Sequence, residues 1–171
     1  VADSMNHRIQ IFTSDGEFLS SFGKSGFGDG NLKIPVDVAV YGDFIYVSDP
    51  GNYKIEKYTS DGTFLKTIDY RFAGHHPRPG GLIADPDGNI YFVDAANYRI
   101  VKMNSDGRTL TVFGDLGKGN GKFFEPKDLV LDNRGYLFVL DSSLGLIQKF
   151  ETPVVAQIEE ALAAEQFRKL Q

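Results

Sequence analysis

Along this chain, large apolar and polar residues alternate in short runs of five or six, and glycine-containing turns separate the runs. Ile45-Tyr46-Val47 and the segment 53–58 show the pattern most clearly. Strict alternation suits a half-buried β-strand, whose successive side chains face opposite sides of the sheet. Asp61-Gly62 between two such runs predicts a two-residue hairpin turn with positive φ angles. The whole unit from 45 to 65 reads as strand, tight loop, strand, hairpin, strand.

The unit is written about four times. The aspartate closing each apolar strand falls at Asp3, Asp49, Asp94 and Asp141, spaced by 46, 45 and 47 residues. Asn6, Asn52 and Asn97 follow three residues later, then a cation at Arg8, Lys54 and Arg99, then Ile9, Ile55 and Ile100. Ser-Asp-Gly recurs in step at 14–16, 60–62 and 105–107, and Pro35, Pro79 and Pro126 open the following units. A period near 45 built from short strands fits a four-stranded antiparallel blade, the unit of a β-propeller. The Gly and Asp-Gly punctuation excludes helical repeats.

These residues resemble the NHL repeat: Val-Ala-Asp-Ser-x-Asn-His-Arg-Ile-Gln-Ile-Phe, then Asp-Gly-x-Phe-Leu, then Phe-Gly-x-x-Gly-x-Gly-x-Gly, then Pro. The resemblance covers residues 1–150. It departs from the pattern twice, where Leu144-Gly145-Leu146 replaces the Asn-x-Arg of the fourth copy and where 69–79 has lost the glycine-rich form. What it implies is an all-β, NHL-type β-propeller of about three and a half four-stranded blades, belonging to a six-bladed ring.

Lettering strands a to d from the centre outward, the first blade keeps the end of b, then c (7–13) and d (17–22). The second has a (36–41), b (44–48), c (53–58) and d (64–68). The third has a (81–84), b (90–93), c (98–103) and d (109–113), and the fourth has a (128–131), b (136–140) and c (145–150). Propellers remove exposed strand edges by closing the ring, often with a strand from the opposite terminus. The expectation is therefore the C-terminal part of a longer ring starting mid-blade, with roughly 100 further residues upstream at this period.

The domain division expected is 1–151 for the propeller and 152–171 for a C-terminal amphipathic α-helix or connector. Thr152 can cap that helix, Pro153 fits its first turn, and Val154, Val155, Ile158, Ala161 and Leu162 share one face. Such a helix would pack on its own propeller, lead to a further domain or contact a partner.

Charge and composition narrow the function. The net charge of -5 argues against nucleic acid, which usually calls for a basic face. RNA binding, seen in NHL domains of tripartite-motif relatives, is accordingly the least favoured reading. There is no cysteine for disulfides or thiolate ligands. No apolar run is long enough to span a bilayer.

The Asp-x-x-Asn-x-Arg series is regular enough to be structural, its carboxylates bonding nearby amides and pairing with the following cation. Asp85-Pro86-Asp87-Gly88-Asn89 reads as a turn, since its glycine comes too early for a calcium loop and no glutamate follows at the twelfth position. The irregular linker is the better site candidate. Tyr70, Arg71, His75, His76 and Arg78 would project beside Tyr53, Tyr98 and Arg99 on the face shared by the d-to-a linkers and b-to-c loops, a plausible recognition surface.

The leading expectation is a non-enzymatic binding or scaffold module for a protein, peptide or glycan partner. The resemblance supplies an alternative, a metal-dependent lyase or lactonase-type enzyme with its site in the central channel. Histidine occurs only at 7, 75 and 76, and adjacent His75 and His76 rarely share an ion. No nucleophile elbow, P-loop or HExxH helix is present. The expectation is of no catalytic residues, no metal ligands and no cofactor.

Overall fold

A computed structural model describes residues 1–68, 70 and 77–152. The expected C-terminal helix over 152–171 lies outside the described residues, Thr152 excepted. The first sheet holds β1 (Ala2–Asp3), β2 (Arg8–Phe12) and β3 (Phe18–Phe22). The second holds β4 (Asp37–Tyr41), β5 (Phe44–Asp49), β6 (Lys54–Thr59) and β7 (Phe64–Ile68). The third holds β8 (Pro79–Ala84), β9 (Ile90–Asp94), β10 (Arg99–Met103) and β11 (Thr109–Phe113). The fourth holds β12 (Pro126–Leu131), β13 (Leu137–Asp141) and β14 (Leu146–Phe150).

Each sheet is an antiparallel meander in sequence order, giving an all-β chain of propeller type. The inner strands β4, β8 and β12 are neighbours across sheets as well as starting their own. Four sheets packed face to face enclose three cores. Ile9, Leu32, Ile45, Val47 and Tyr58 fill the first gap. Tyr46, Ile55, Leu82, Ile90, Phe92, Val101 and Met103 fill the second. Tyr91, Val93, Ile100, Leu129, Leu137 and Val139 fill the third. Period-2 alternation explains the division: Tyr91 and Val93 face the fourth sheet while Ile90 and Phe92 face the second. Strands buried on both faces read as nearly continuous apolar runs, which is why β9 looks so uniform in sequence.

Two local expectations change. In the Ser-Asp-Gly hairpins glycine alone has positive φ, 87° at Gly16, 89° at Gly62 and 87° at Gly107. Gly62 N–H donates to Thr59 O at 2.9 Å and the ladder shifts register beside Lys57 and Tyr58, so the turn is a three-residue loop with a bulge. Strand c also begins one residue later than expected. His7, Tyr53 and Tyr98 are left-handed corners with φ of 56°, 57° and 55°. Gly145 takes the same corner in the fourth sheet with φ 63°, so the corner is kept where Leu144 and Leu146 replace the Asn and Arg of the repeat.

Candidate functional site

The aspartates that end strand b hold the linker arriving from the previous sheet. Asp49 accepts hydrogen bonds from Lys33 N–H and Ile34 N–H, both at 2.9 Å. Asp94 accepts from Arg78 N–H at 3.1 Å, from the Asn97 amide, and from Arg99 Nε at 2.9 Å. Asp141 accepts from Phe124 N–H at 2.7 Å, Glu125 N–H at 3.2 Å and Leu144 N–H at 3.0 Å. Asp49, Asp94 and Asp141 are fully buried, so these donors supply the solvation that burial removes. Asp3 accepts from Asn6, Arg8 and Gln10. Asn52 differs from Asn6 and Asn97: it donates to Gly26 O and Asn31 O of the glycine linker.

Strand c adds a second hold on the glycine linkers. Glu56, fully buried, accepts from Gly30 N–H at 3.0 Å and from Lys54 Nζ at 2.6 Å, and Tyr58 donates its hydroxyl to the same carboxylate. Burial and the Glu56 charge push the Tyr58 phenol up. In the fourth sheet Gln148 does the equivalent work, accepting from Gly121 N–H at 2.8 Å and donating to Lys122 O at 2.7 Å. The third sheet has Val101 at this position, and the linker before it is the one without the glycine pattern.

With linkers and b-to-c loops gathered at one end, a hollow of about 480 Å³ opens where the inner strands begin. Pro50, Pro79, Pro126, Ala95 and Ala96 line it, together with the charged Asp37, Arg78, Glu125, Lys127 and Asp128. Asp37 Oδ1 accepts from Val38 N–H and Oδ2 from Leu82 N–H of the next sheet, each at 2.8 Å. Burial raises the Asp37 carboxyl above its ordinary value, and the Asp128 charge adds to that against the two N–H groups. Asp128 accepts from Leu129 N–H at 2.8 Å. The Ser143 hydroxyl at 2.7 Å and then Lys127 hold the Glu125 carboxyl down at about 2.

The structure describes five of the eight residues of the expected surface. Arg78 is exposed on the rim of the hollow. Tyr53 is 56% exposed on its corner. Tyr98 is half-buried and packs on the third core. Arg99 pairs with Asp94, which limits what it can offer a ligand. Tyr70 is a correction: it is 4% exposed, with its ring 4.5 Å from Phe92 in an edge-on contact. Its aromatic surface fills the second core instead of the face. Arg71, His75 and His76 lie outside the described residues. His7 is turned to Lys33 O. The Asp85 turn is as expected, with Asp85 Oδ1 accepting from Asp87 N–H and Asn89 N–H at 3.0 and 2.8 Å.

Sequence reasoning missed Asp37, Lys127, Glu125 and Asp128. Their signal was the Pro-x-Asp at 35–37 and 126–128, with Gly81 at the matching place in the third copy. Among the described residues no group of three or more His, Asp or Glu side chains is placed to hold a metal ion. None of their helices is long and apolar enough to cross a membrane.

No protein-family model matches the chain, and no curated protein matches it by sequence. Among solved structures it is similar to virginiamycin B lyase from Staphylococcus aureus, in a catalytically inactive variant with quinupristin. The TM-score is 0.57 at 19% identity, over 85% of this chain and 49% of that one. The selenomethionine-substituted lyase gives 0.54 at 18%, over 87% and 50%. A gluconolactonase from Xanthomonas campestris gives 0.58 at 18%, over 81% and 43%. This likeness is one of fold, and the chain spans about half the length of those proteins.

Proposed function

We propose that the chain is an arc of an NHL-type propeller that serves as a recognition module, holding a protein, peptide or glycan at the end where linkers and b-to-c loops converge. The observation that carries this is the hollow itself: Arg78 and the Lys127–Glu125 pair line it together with prolines and alanines, while Asp37 and Asp128 are engaged with backbone amides. An apolar pocket with a few charged groups at its mouth is the general form of a binding site. Binding of the purified chain to peptide and glycan arrays tests the reading. Ligands that bind the native chain should be lost with Arg78→Glu or Lys127→Glu, and binding untouched by both substitutions would overturn it.

The structural neighbours favour a second reading, since a lyase and a lactonase share this fold. Enzymatic function would place Asp37 and Asp128 at the reacting end of the hollow. Hydrolysis of gluconolactone, followed by acid release with calcium or with a chelator, separates the two. Turnover lost in Asp128→Asn would favour the enzyme; a rate equal to the blank under both conditions would count against a lactonase.

A further inference from the structure

A lysine recurs at one place on strand c, and the second and third sheets surround it differently. Lys57 stands eight residues after Asp49, and Lys102 eight after Asp94. In the third sheet the ammonium has its counter-charge. Lys102 Nζ pairs with Asp85 Oδ2 at 3.3 Å and lies 4.7 Å from the centre of the Tyr91 ring, so both charges reach the Tyr91 phenol. Asp85 comes from the turn between strands a and b, four residues after Gly81.

The second sheet keeps the lysine and the tyrosine but not the carboxylate. Lys57 is 7% exposed, and its Nζ lies 3.8 Å from the centre of the Phe44 ring and 5.3 Å from that of Tyr46, the counterpart of Tyr91. Four residues after Asp37, in the place of Asp85, comes Tyr41, whose ring packs against Gly88 of the third sheet. Among the described residues Lys57 forms no ion pair and donates only to Ser105 O, at 3.3 Å. The Tyr46 hydroxyl, on a residue 0% exposed, has no hydrogen-bond partner among them. Lys66 and Asp106 are the charges that reach Lys57, and they pair with each other, Lys66 Nζ standing 3.6 Å from Asp106 Oδ1. Burial and the Lys66 charge lower the Lys57 ammonium, with Asp106 opposing them. A buried ammonium without a counter-charge and a buried hydroxyl without a partner are each costly, and here they adjoin.

We propose that a small monovalent anion of the chloride class binds between Lys57 and Tyr46, in the role that the Asp85 carboxylate plays beside Lys102 and Tyr91. The site lies at the junction of the second and third sheets, at the end opposite the hollow. Lys57 supplies the charge and an N–H, and the Tyr46 hydroxyl supplies a second donor. The surroundings set the size and charge of the ion. Both donors are buried, so the ion must shed most of its water and be small. The Asp106 carboxylate at the edge repels a second negative charge, which disfavours phosphate and sulfate. Because Lys57 also holds Ser105 O, the bound ion strengthens the contact between the two sheets.

Thermal unfolding of the full chain tests this, with chloride replacing isethionate at constant ionic strength. The native chain should be stabilised saturably, as a ligand bound only by the folded state requires. Lys57→Met, which keeps the aliphatic stem and removes the charge, should lose the response. Tyr46→Phe should need about fivefold more chloride for the same shift, the effect of one lost hydrogen bond. Crystals soaked in bromide locate the ion by anomalous scattering, and the expected peak lies between Lys57 Nζ and the Tyr46 hydroxyl. A native chain indifferent to chloride, a response kept in full by Lys57→Met, or bromide found only elsewhere overturns the proposal.

Discussion

Asp37 ties two sheets together at the centre of the arc: its Oδ2 accepts from Leu82 N–H at 2.8 Å, 45 positions along the chain. Leu82 is 2% exposed, so its N–H is a buried donor that relies on this carboxylate. Asp37→Ala should destabilise by about 1–3 kcal/mol, the usual cost of an orphaned buried donor, as read by urea unfolding. The pH dependence has a definite sign. Burial raises this carboxyl, so the folded chain favours its protonated form. That contribution is intact below the unfolded value and is lost as pH rises through the raised folded one. Asp37→Asn does not titrate there, and its stability relative to the native chain should increase over that window.

Gly81 stands where the other inner strands carry aspartate, and Asp128 explains it. A Cβ on Gly81 would lie 2.2 Å from Asp128 Oδ1 and 2.9 Å from its Cα. Gly81→Ala should cost about 1–3 kcal/mol by overpacking. Adding Asp128→Ala should recover part of the loss, since the backbone contact remains. Thermal unfolding of the single and double variants measures this.

Glu56 and Lys54 form a buried pair, with side chains 0% and 10% exposed. Removing one partner leaves a buried charge, and Glu56→Ala should cost about 3–5 kcal/mol. Glu56→Gln, which copies Gln148, should keep the bond to Gly30 N–H and cost less. Equal losses in denaturant for the two variants would show that the charge pair, and not the cap on the glycine linker, is what matters.

Gly145→Ala isolates backbone conformation, because an added Cβ meets nothing within 4 Å while φ is 63°. It should destabilise by about 1–2 kcal/mol, with asparagine at this position losing less. Tyr53→Gly should do the reverse at its own left-handed corner, and calorimetry of the three variants reads both effects.

The strands were legible because their alternation and turn glycines are local signals, and the aspartate repeat was legible because a recurring junction needs the same residue each time. Tyr70 was not, since a tyrosine two residues past β7 carries no mark of turning into the core beside Phe92. The hollow was also hidden, because Asp37, Glu125, Lys127 and Asp128 meet only when inner strands from different sheets are brought together. The left-handed tyrosine corners were masked by side chains that suit a strand. The polar position of strand c was readable in principle: Glu56 and Gln148 accompany glycine linkers, and Val101 accompanies the linker without one.

The claim that each buried aspartate clamps the linker before its own sheet is tested most directly by amide hydrogen exchange. Lys33, Ile34, Phe124 and Glu125 lie outside the strands, yet their N–H groups are bonded to Asp49 or Asp141. The account predicts slow exchange at these four, with Asp49→Ala releasing Lys33 and Ile34 while Phe124 and Glu125 stay protected. Free-loop exchange at all four in the native chain would contradict it.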